Sequence, residues 1–373
     1  MKSIMFFFKK EAVLCISGIL AVISCFIVPP SAAYAEYVDL RVLILLFCLM
    51  LVVAGIRQTG AFTVICEALL KKFRSIKTVG LVLVLLSFFM SMLLTNDVTL
   101  VTIVPFTLLM FEKISGEKKA RAEIVLLVLE TAAANLGSML TPMGNPQNLY
   151  LYSKFDLSIS EFFGIIFPYS MLSLAMLIGS VFLFLPKLQT EKPSGAAKIQ
   201  GRLKPILFVI LFAVNMLTIL RILDDKILLL IVAAAVLIVD RKLFLQADYS
   251  LLLLTFVFFF IFVGNLGSIP ALSEALQRIF QGSEVGISVL LSQVISNVPA
   301  AILLSGLSDN AGALIIGTNL GGLGTLIASM ASLITYKFYA GTKDSSPKKY
   351  ILVFTVFNVC YLAVLGLLYI FIA

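Results

Sequence analysis

Blocks of about 15–28 mostly apolar residues recur along the whole of this 373-residue chain. Each is long enough to enter or cross a hydrocarbon core of roughly 30 Å, and a bilayer admits only helices or closed barrels as spanning elements. With 61% hydrophobic and 13% charged side chains, the composition is far from that of a soluble domain, which runs near half apolar and a quarter charged. The net charge of +8 would suit nucleic acid if it formed a patch. Its basic residues instead sit in short loops between apolar blocks, the positive-inside pattern, so lipid and not nucleic acid is the expected environment. The chain has no histidine, which removes His-ligated metal sites and Ser-His-Asp triads. Its five cysteines (15, 25, 48, 66 and 360) show no C-x-x-C spacing. The fold class is an all-α polytopic protein of the cell membrane.

Lys9 and Lys10, the apolar run 12–28 and the stretch Pro29–Ala35 resemble a signal peptide. Seventeen apolar residues can also just span, and we read an uncleaved first helix. Further helices are expected at 40–56, 80–111, 122–153, 159–186, 205–221, 226–240, 250–264, 285–307, 311–340 and 350–372. Block 80–111 is broken by Thr95-Asn96-Asp97, which leaves arms of only about 22 and 21 Å. Block 285–307 breaks at Ser296-Asn297-Val298-Pro299. Each reads as a re-entrant hairpin with a buried polar tip, leaving about nine full crossings. Lys and Arg then divide 23 to 5 between the two sides, placing the N-terminus in the cytoplasm and the C-terminus outside. The expected divisions are an N-terminal scaffold helix (1–36), a first repeat (37–186), a cytoplasmic linker (187–204), a second half (205–345) whose repeat starts near 246, and a last helix (346–373).

The chain repeats itself weakly. Residues 66–73 (CEALLKKF) align with 273–280 (SEALQRIF), Asn135-Leu136-Gly137 with Asn319-Leu320-Gly321, and Thr141 with Thr325. Five crossings lie between helix 40–56 and its counterpart 250–264, so the halves are inverted. Inverted repeats with discontinuous helices mark secondary transporters. Pro142 and Pro146 remove backbone donors and break block 122–153. The candidate substrate- or ion-binding residues are therefore Thr95, Asn96, Asp97, Asn135, Gly137, Thr141, Gly144, Asn145, Gln147 and Asn148 in the first half. In the second they are Ser296, Asn297, Thr318, Asn319, Gly321, Gly322, Gly324 and Thr325, with Ser329 beside them. Unwound carbonyls there can hold a cation, while half-helix N-termini face an anion.

The segments TNDVTLVTIVP at 95–105 and TPMGNPQNL at 141–149 resemble the ion transporter superfamily. That group takes in arsenite permeases, D-type sodium/proton antiporters, citrate-transporter-like permeases and divalent anion–sodium symporters. The likeness covers roughly residues 37–345 and is greatest to the bacterial citrate-transporter-like anion permeases. It implies a scaffold, usually homodimeric, and a transport domain of two hairpins and two broken helices that moves as an elevator. In dicarboxylate relatives the hairpin tips carry S-N-T, whose Asn residues touch substrate and sodium. Asn96 and Asn297 occupy those places, which puts sodium near Asn96, Asp97 and Gly137, and near Asn297 and Gly321. The tips here read T-N-D and S-N-V instead, a departure that sets a dicarboxylate substrate apart from the expectation.

The reading is a secondary transporter of a small anion or oxyanion coupled to sodium or protons, with no cofactor beyond such an ion. A cation/proton antiporter with Asp97 as carrier, or an arsenite-type efflux permease, is the alternative. An intramembrane enzyme is remote: an aspartyl protease needs paired carboxylates, Asp97 is the acid near the centre, and Glu130 has no matching partner. Asp97 could also simply cap the arm 98–111. No Arg or Lys falls near either break, which favours cation coupling or a neutral oxyacid. No nucleotide-binding loop is present.

Overall fold

The computed structural model describes residues 12–61, 75–112, 118–187, 203–245 and 247–372, with single positions 63, 64, 68, 73, 114, 189 and 201 between them. Among the described residues the fold is helical, with no strand beyond an isolated antiparallel bridge between Ser75 and Gln189. The expected octet 66–73 and the linker 187–204 fall largely outside the described residues.

In chain order the helices are α1 (Ala12–Ile27), α2 (Leu40–Gln58), α3 (Ile76–Leu94), α4 (Asn96–Glu112), α5 (Lys118–Ser138), α6 (Pro146–Lys154), α7 (Ile159–Phe184) and α8 (Leu203–Ile219). They continue with α9 (Asp225–Asp240), α10 (Ala247–Gly267), α11 (Pro270–Phe280), α12 (Glu284–Ile295), α13 (Asn297–Leu304), α14 (Ala311–Gly321), α15 (Met330–Ala340) and α16 (Pro347–Ile372). Polar caps explain several starts. Asp39 accepts from the Val42 amide, Asp224 from Lys226 and Ile227, and Asn310 from Ala313. Ser158 and Glu161 form a reciprocal capping box at α7.

Among the described residues four helices, α2, α3, α7 and α16, are long and apolar enough to cross a bilayer by length and composition. For α3 this extends the sequence reading, which began at residue 80. The extra turn holds Lys77, whose ammonium reaches the Phe182 carbonyl at 2.6 Å and lies 5.8 Å from the Phe182 ring centroid. A lysine that delivers its charge to a helix end leaves its stem free to extend the apolar helix.

α5 is the hub. Every residue from 122 to 140 is buried, and α3, α4, α7, α15 and α16 pack around it. A helix covered on all sides needs no polar face. The periphery is the opposite: Leu203, Ile238 and Phe371 are 83%, 85% and 85% exposed. Such apolar surface suits lipid rather than water. Six contacts between the two halves form three matched pairs, while that of α2 with α8 has no counterpart. α10 packs on α1 and α9 on α2; α7 packs on α14 and α16 on α5; α4 packs on α15 and α13 on α6.

Candidate functional site

Two helix pairs meet at sharp tips, α3–α4 at Thr95 and α12–α13 at Ser296. Thr95 has φ 70° and ψ 152°, and Ser296 has φ 75° and ψ 156°. Left-handed backbone costs a side-chain-bearing residue about 1–3 kcal/mol and persists only where the surroundings enforce it. The enforcing contacts recur. Thr141 Oγ1 donates to the Met92 carbonyl, and Thr325 Oγ1 donates to the Gln293 carbonyl at 3.3 Å. Both accepting residues lie four positions before their tip asparagine.

Two glycines allow the broken helices this close. A Cβ on Gly137 would fall 2.1 Å from the Phe88 carbonyl oxygen and 2.7 Å from Ser91 Oγ; one on Gly321 would fall 2.4 Å from Ser292 Oγ. α5 ends at Ser138 and resumes as α6 after a 3-10 turn over Pro142–Gly144, while α14 ends at Gly321 and α15 begins at Met330.

The first tip and both breaks share one hydrogen-bond network, which the second tip adjoins through Ala328, the neighbour of Ser329. Asn96 Nδ2 donates to Asn135 Oδ1 at 3.0 Å, and Ser329 Oγ donates to the same oxygen at 3.0 Å. Asn135 Nδ2 reaches Ser332 Oγ at 3.4 Å. Asn145 Nδ2 donates to Asn319 Oδ1 at 3.1 Å, and Asn319 Nδ2 to Asn148 Oδ1 at 2.6 Å. Ser138 links these clusters, donating to the Asn135 carbonyl and accepting from Asn145. Asn148 Nδ2 gathers the Met139 and Thr141 carbonyls, and Asn145 Oδ1 caps α6 through the Asn148 amide. At the second tip the Asn297 amide and Ser296 Oγ both donate to the Ala328 carbonyl, at 3.0 and 3.3 Å.

The remaining candidates fall into place around this network. Gly144 packs against the Ser138 carbonyl, and Gly322 lies beneath the Asn297 amide. Gly324 takes φ 106°, beside Gln293. Gln147 is buried with its Oε1 unpartnered. Asp97 is half-buried; its own N–H bonds Asn96 Oδ1 at 2.9 Å, and no backbone amide among the described residues bonds its carboxylate. Thr318 stands apart: its hydroxyl turns back to the Leu314 carbonyl of its own helix at 2.7 Å.

Sequence reasoning did not select Ser138, Gln293 or Ser332. Ser332 follows Ser329 by three residues, a spacing that puts both on one face of a helix start. Gln293 Nε2 bridges the Gly321 and Leu323 carbonyls, at 2.9 Å each, and its Oε1 accepts the Thr325 amide. Among the described residues no Lys or Arg enters the network, and no cluster of three or more Cys, Asp or Glu could frame a metal centre. What the network offers is amides, hydroxyls, carbonyl oxygens and one carboxylate.

Residues 4–312 match the profile of a family described as Citrate transporter. The chain is 34% identical over 306 residues to an uncharacterized transporter of Methanocaldococcus jannaschii, covering 82% of each chain. It is 31% identical over 324 residues to the inner membrane protein YbiR of Escherichia coli, covering 84% of each. A silicon efflux transporter of Oryza sativa is 31% identical over 145 residues, 39% of this chain and 29% of that one.

Proposed function

The chain belongs to the citrate transporter family, and from that membership we propose a secondary active transporter of a small anion or oxyanion, coupled to sodium or protons. It is a multi-pass membrane transporter and not an enzyme, as its family and transporter-named relatives establish. The observation that carries the finer reading is the buried amide–hydroxyl network that joins the first tip and both helix breaks across the halves by Asn135–Ser329 and Asn145–Asn319, with the second tip bonded beside it at Ala328.

An inverted repeat is supported by the matched packing pairs and by the near-identical backbone at Thr95 and Ser296. On this reading the two hairpins and two broken helices form a transport domain that moves as an elevator against a dimeric scaffold including α1, α2 and α8–α10. Sidedness is supported by ion pairs. Lys119–Asp344 (3.8 Å) and Lys204–Asp240 (3.5 Å) each join positions assigned to the cytoplasm, and Arg221–Asp156 (2.8 Å) joins two assigned outside.

The centre fits sodium chemically. Hard cations take carboxylate and carbonyl oxygens, and Asp97, Asn96 and the carbonyls around Gly137 supply them, with Asn297 and the carbonyls near Gly321 as the counterpart. An anion would be held by amide and hydroxyl donors. A second reading, efflux of an uncharged oxyacid, is favoured by the lack of Lys and Arg in the network and by the partial likeness to a silicon efflux transporter.

Purified protein in liposomes separates these readings. We expect citrate or another small anion to accumulate only with an imposed sodium or pH gradient. Movement of uncharged oxyacids alone would select the second reading, and facilitated flux without any gradient dependence would overturn coupling.

A further inference from the structure

Beyond the central network, the molecule buries a second acid. Glu130 lies on α5 with no exposed surface. One carboxyl oxygen accepts from Thr107 Oγ1 of α4 at 2.6 Å, and the other has no hydrogen-bond partner. The next residue, Thr131, donates to Thr335 Oγ1 of α15 at 2.9 Å. On α16, which packs on α5, the hydroxyl of Tyr350 is buried and without a hydrogen-bond partner. Helices α4, α15 and α16 thus pack around this stretch of α5.

No described Lys or Arg pairs with the Glu130 carboxyl. Lys337 of α15 and Lys348 and Lys349 of α16 are exposed. From α15, Tyr339 stacks on Tyr350 with ring centroids 5.1 Å apart. On its own helix Glu123 lies two turns away, toward Lys119 and Asp344. On α4, Asp97 and Glu112 lie toward the two ends, and from α3 the sole cation, Lys77, is committed to Phe182. On α7, the Tyr169 carbonyl accepts from the Ser173 hydroxyl and Glu161 sits in the capping box. An isolated ionised carboxylate costs several kcal/mol to bury, and an intramembrane acid without a partner is a functional candidate. A neutral acid carries no such cost, and Thr107 Oγ1 already satisfies one of its oxygens.

We propose that Glu130 is a proton-binding site, distinct from Asp97 and the central network. Loading forms an O–H bond at its unpartnered oxygen with a proton taken from water; unloading breaks that bond and returns the proton to water. The hydroxyl pair Thr131–Thr335, next in sequence to Glu130, and the amide–hydroxyl pair Asn135–Ser332 at the centre both lie on the α5–α15 contact. Movement of α5 against α15 therefore changes the surroundings of both sites together. The role of this proton in transport rests on the alternating-access reading above; the site itself does not.

The test is infrared difference spectroscopy on the full reconstituted chain without substrate, with pH raised from mildly acidic to alkaline. We expect a protonated-carboxyl C=O band that disappears as pH rises, is lost in Glu130→Gln and is retained in Asp97→Asn. No titrating band, or an unchanged band in Glu130→Gln, overturns the site. Should Glu130→Gln fail to fold, Thr107→Val removes the hydrogen bond to the carboxyl and must shift the band; an unshifted band overturns the proposal. Because no substrate is used, failure of the central transport site leaves this result intact, and the reverse also holds.

Discussion

The two halves place Thr95-Asn96 and Ser296-Asn297 in the same left-handed turn, yet differ at the next position, Asp97 in one and Val298 in the other. The difference repeats on the broken helices. Counting back five residues from Asn135 and from Asn319 gives Glu130 in the first half and Leu314 in the second, both fully buried. The shared features, tip backbone, glycine contacts and threonine bonds, are those that packing demands. The acids are confined to the first half. Frame and charge are thus separable here, and the proposed ion chemistry belongs to one half of a structurally paired site.

The largest expected effect treats the halves alike. Asn96→Ala and Asn297→Ala should each lower uptake about tenfold or more while leaving insertion intact, since a buried hydrogen-bonding group is worth about 1–3 kcal/mol. Wild-type uptake by one mutant alone, measured in liposomes, would break the equivalence of the tips. A smaller effect should appear only in the first half. Asp97→Asn keeps a competent helix start but no charge, so uptake should persist with its dependence on sodium or pH removed; unchanged ion dependence would reduce Asp97 to a helix-end residue. The smallest effect is on stability. Gly137→Ala and Gly321→Ala should each destabilise by roughly 1–3 kcal/mol, seen as a lowered Tm in detergent. Gly137→Ala should cost more, because its new methyl meets a backbone carbonyl oxygen at 2.1 Å, whereas at Gly321 the contacts under 3.0 Å are to the Ser292 side chain, Oγ at 2.4 Å and Cβ at 2.7 Å.

Much of this frame can be read without coordinates because polar residues and prolines inside apolar blocks have few roles. Thr95-Asn96-Asp97 and Pro142 to Pro146 interrupt helices where nothing else could. Asn135 and Asn319 were reachable through the N-L-G repeat. Thr335 was not, because its partner Thr131 lies 204 residues away and no local spacing records that pairing; Glu130 was visible as an acid in an apolar block, but not its bond to Thr107. Thr318 is a different case: its buried hydroxyl lies beside Asn319 in sequence but donates to its own helix, which no spacing reveals. Lys77 hid the start of α3, since a charge at a helix end reads as a boundary unless its acceptor is known.

The enclosure of α5 has a consequence in time. Its polar residues Thr131 and Asn135 find partners at Thr335, Ser329 and Ser332, 194–204 positions further along the chain. At about 5–20 residues per second of synthesis, those partners emerge roughly 10–40 s after α5 does. Throughout that interval α5 carries Glu130, Thr131 and Asn135 with no α15 or α16 to meet them. In hydrocarbon such a helix is poorly solvated, so its early residence is with α3 and α4, or with the insertion machinery. The innermost helix of the finished transporter is therefore among the first made and the last to be fully housed.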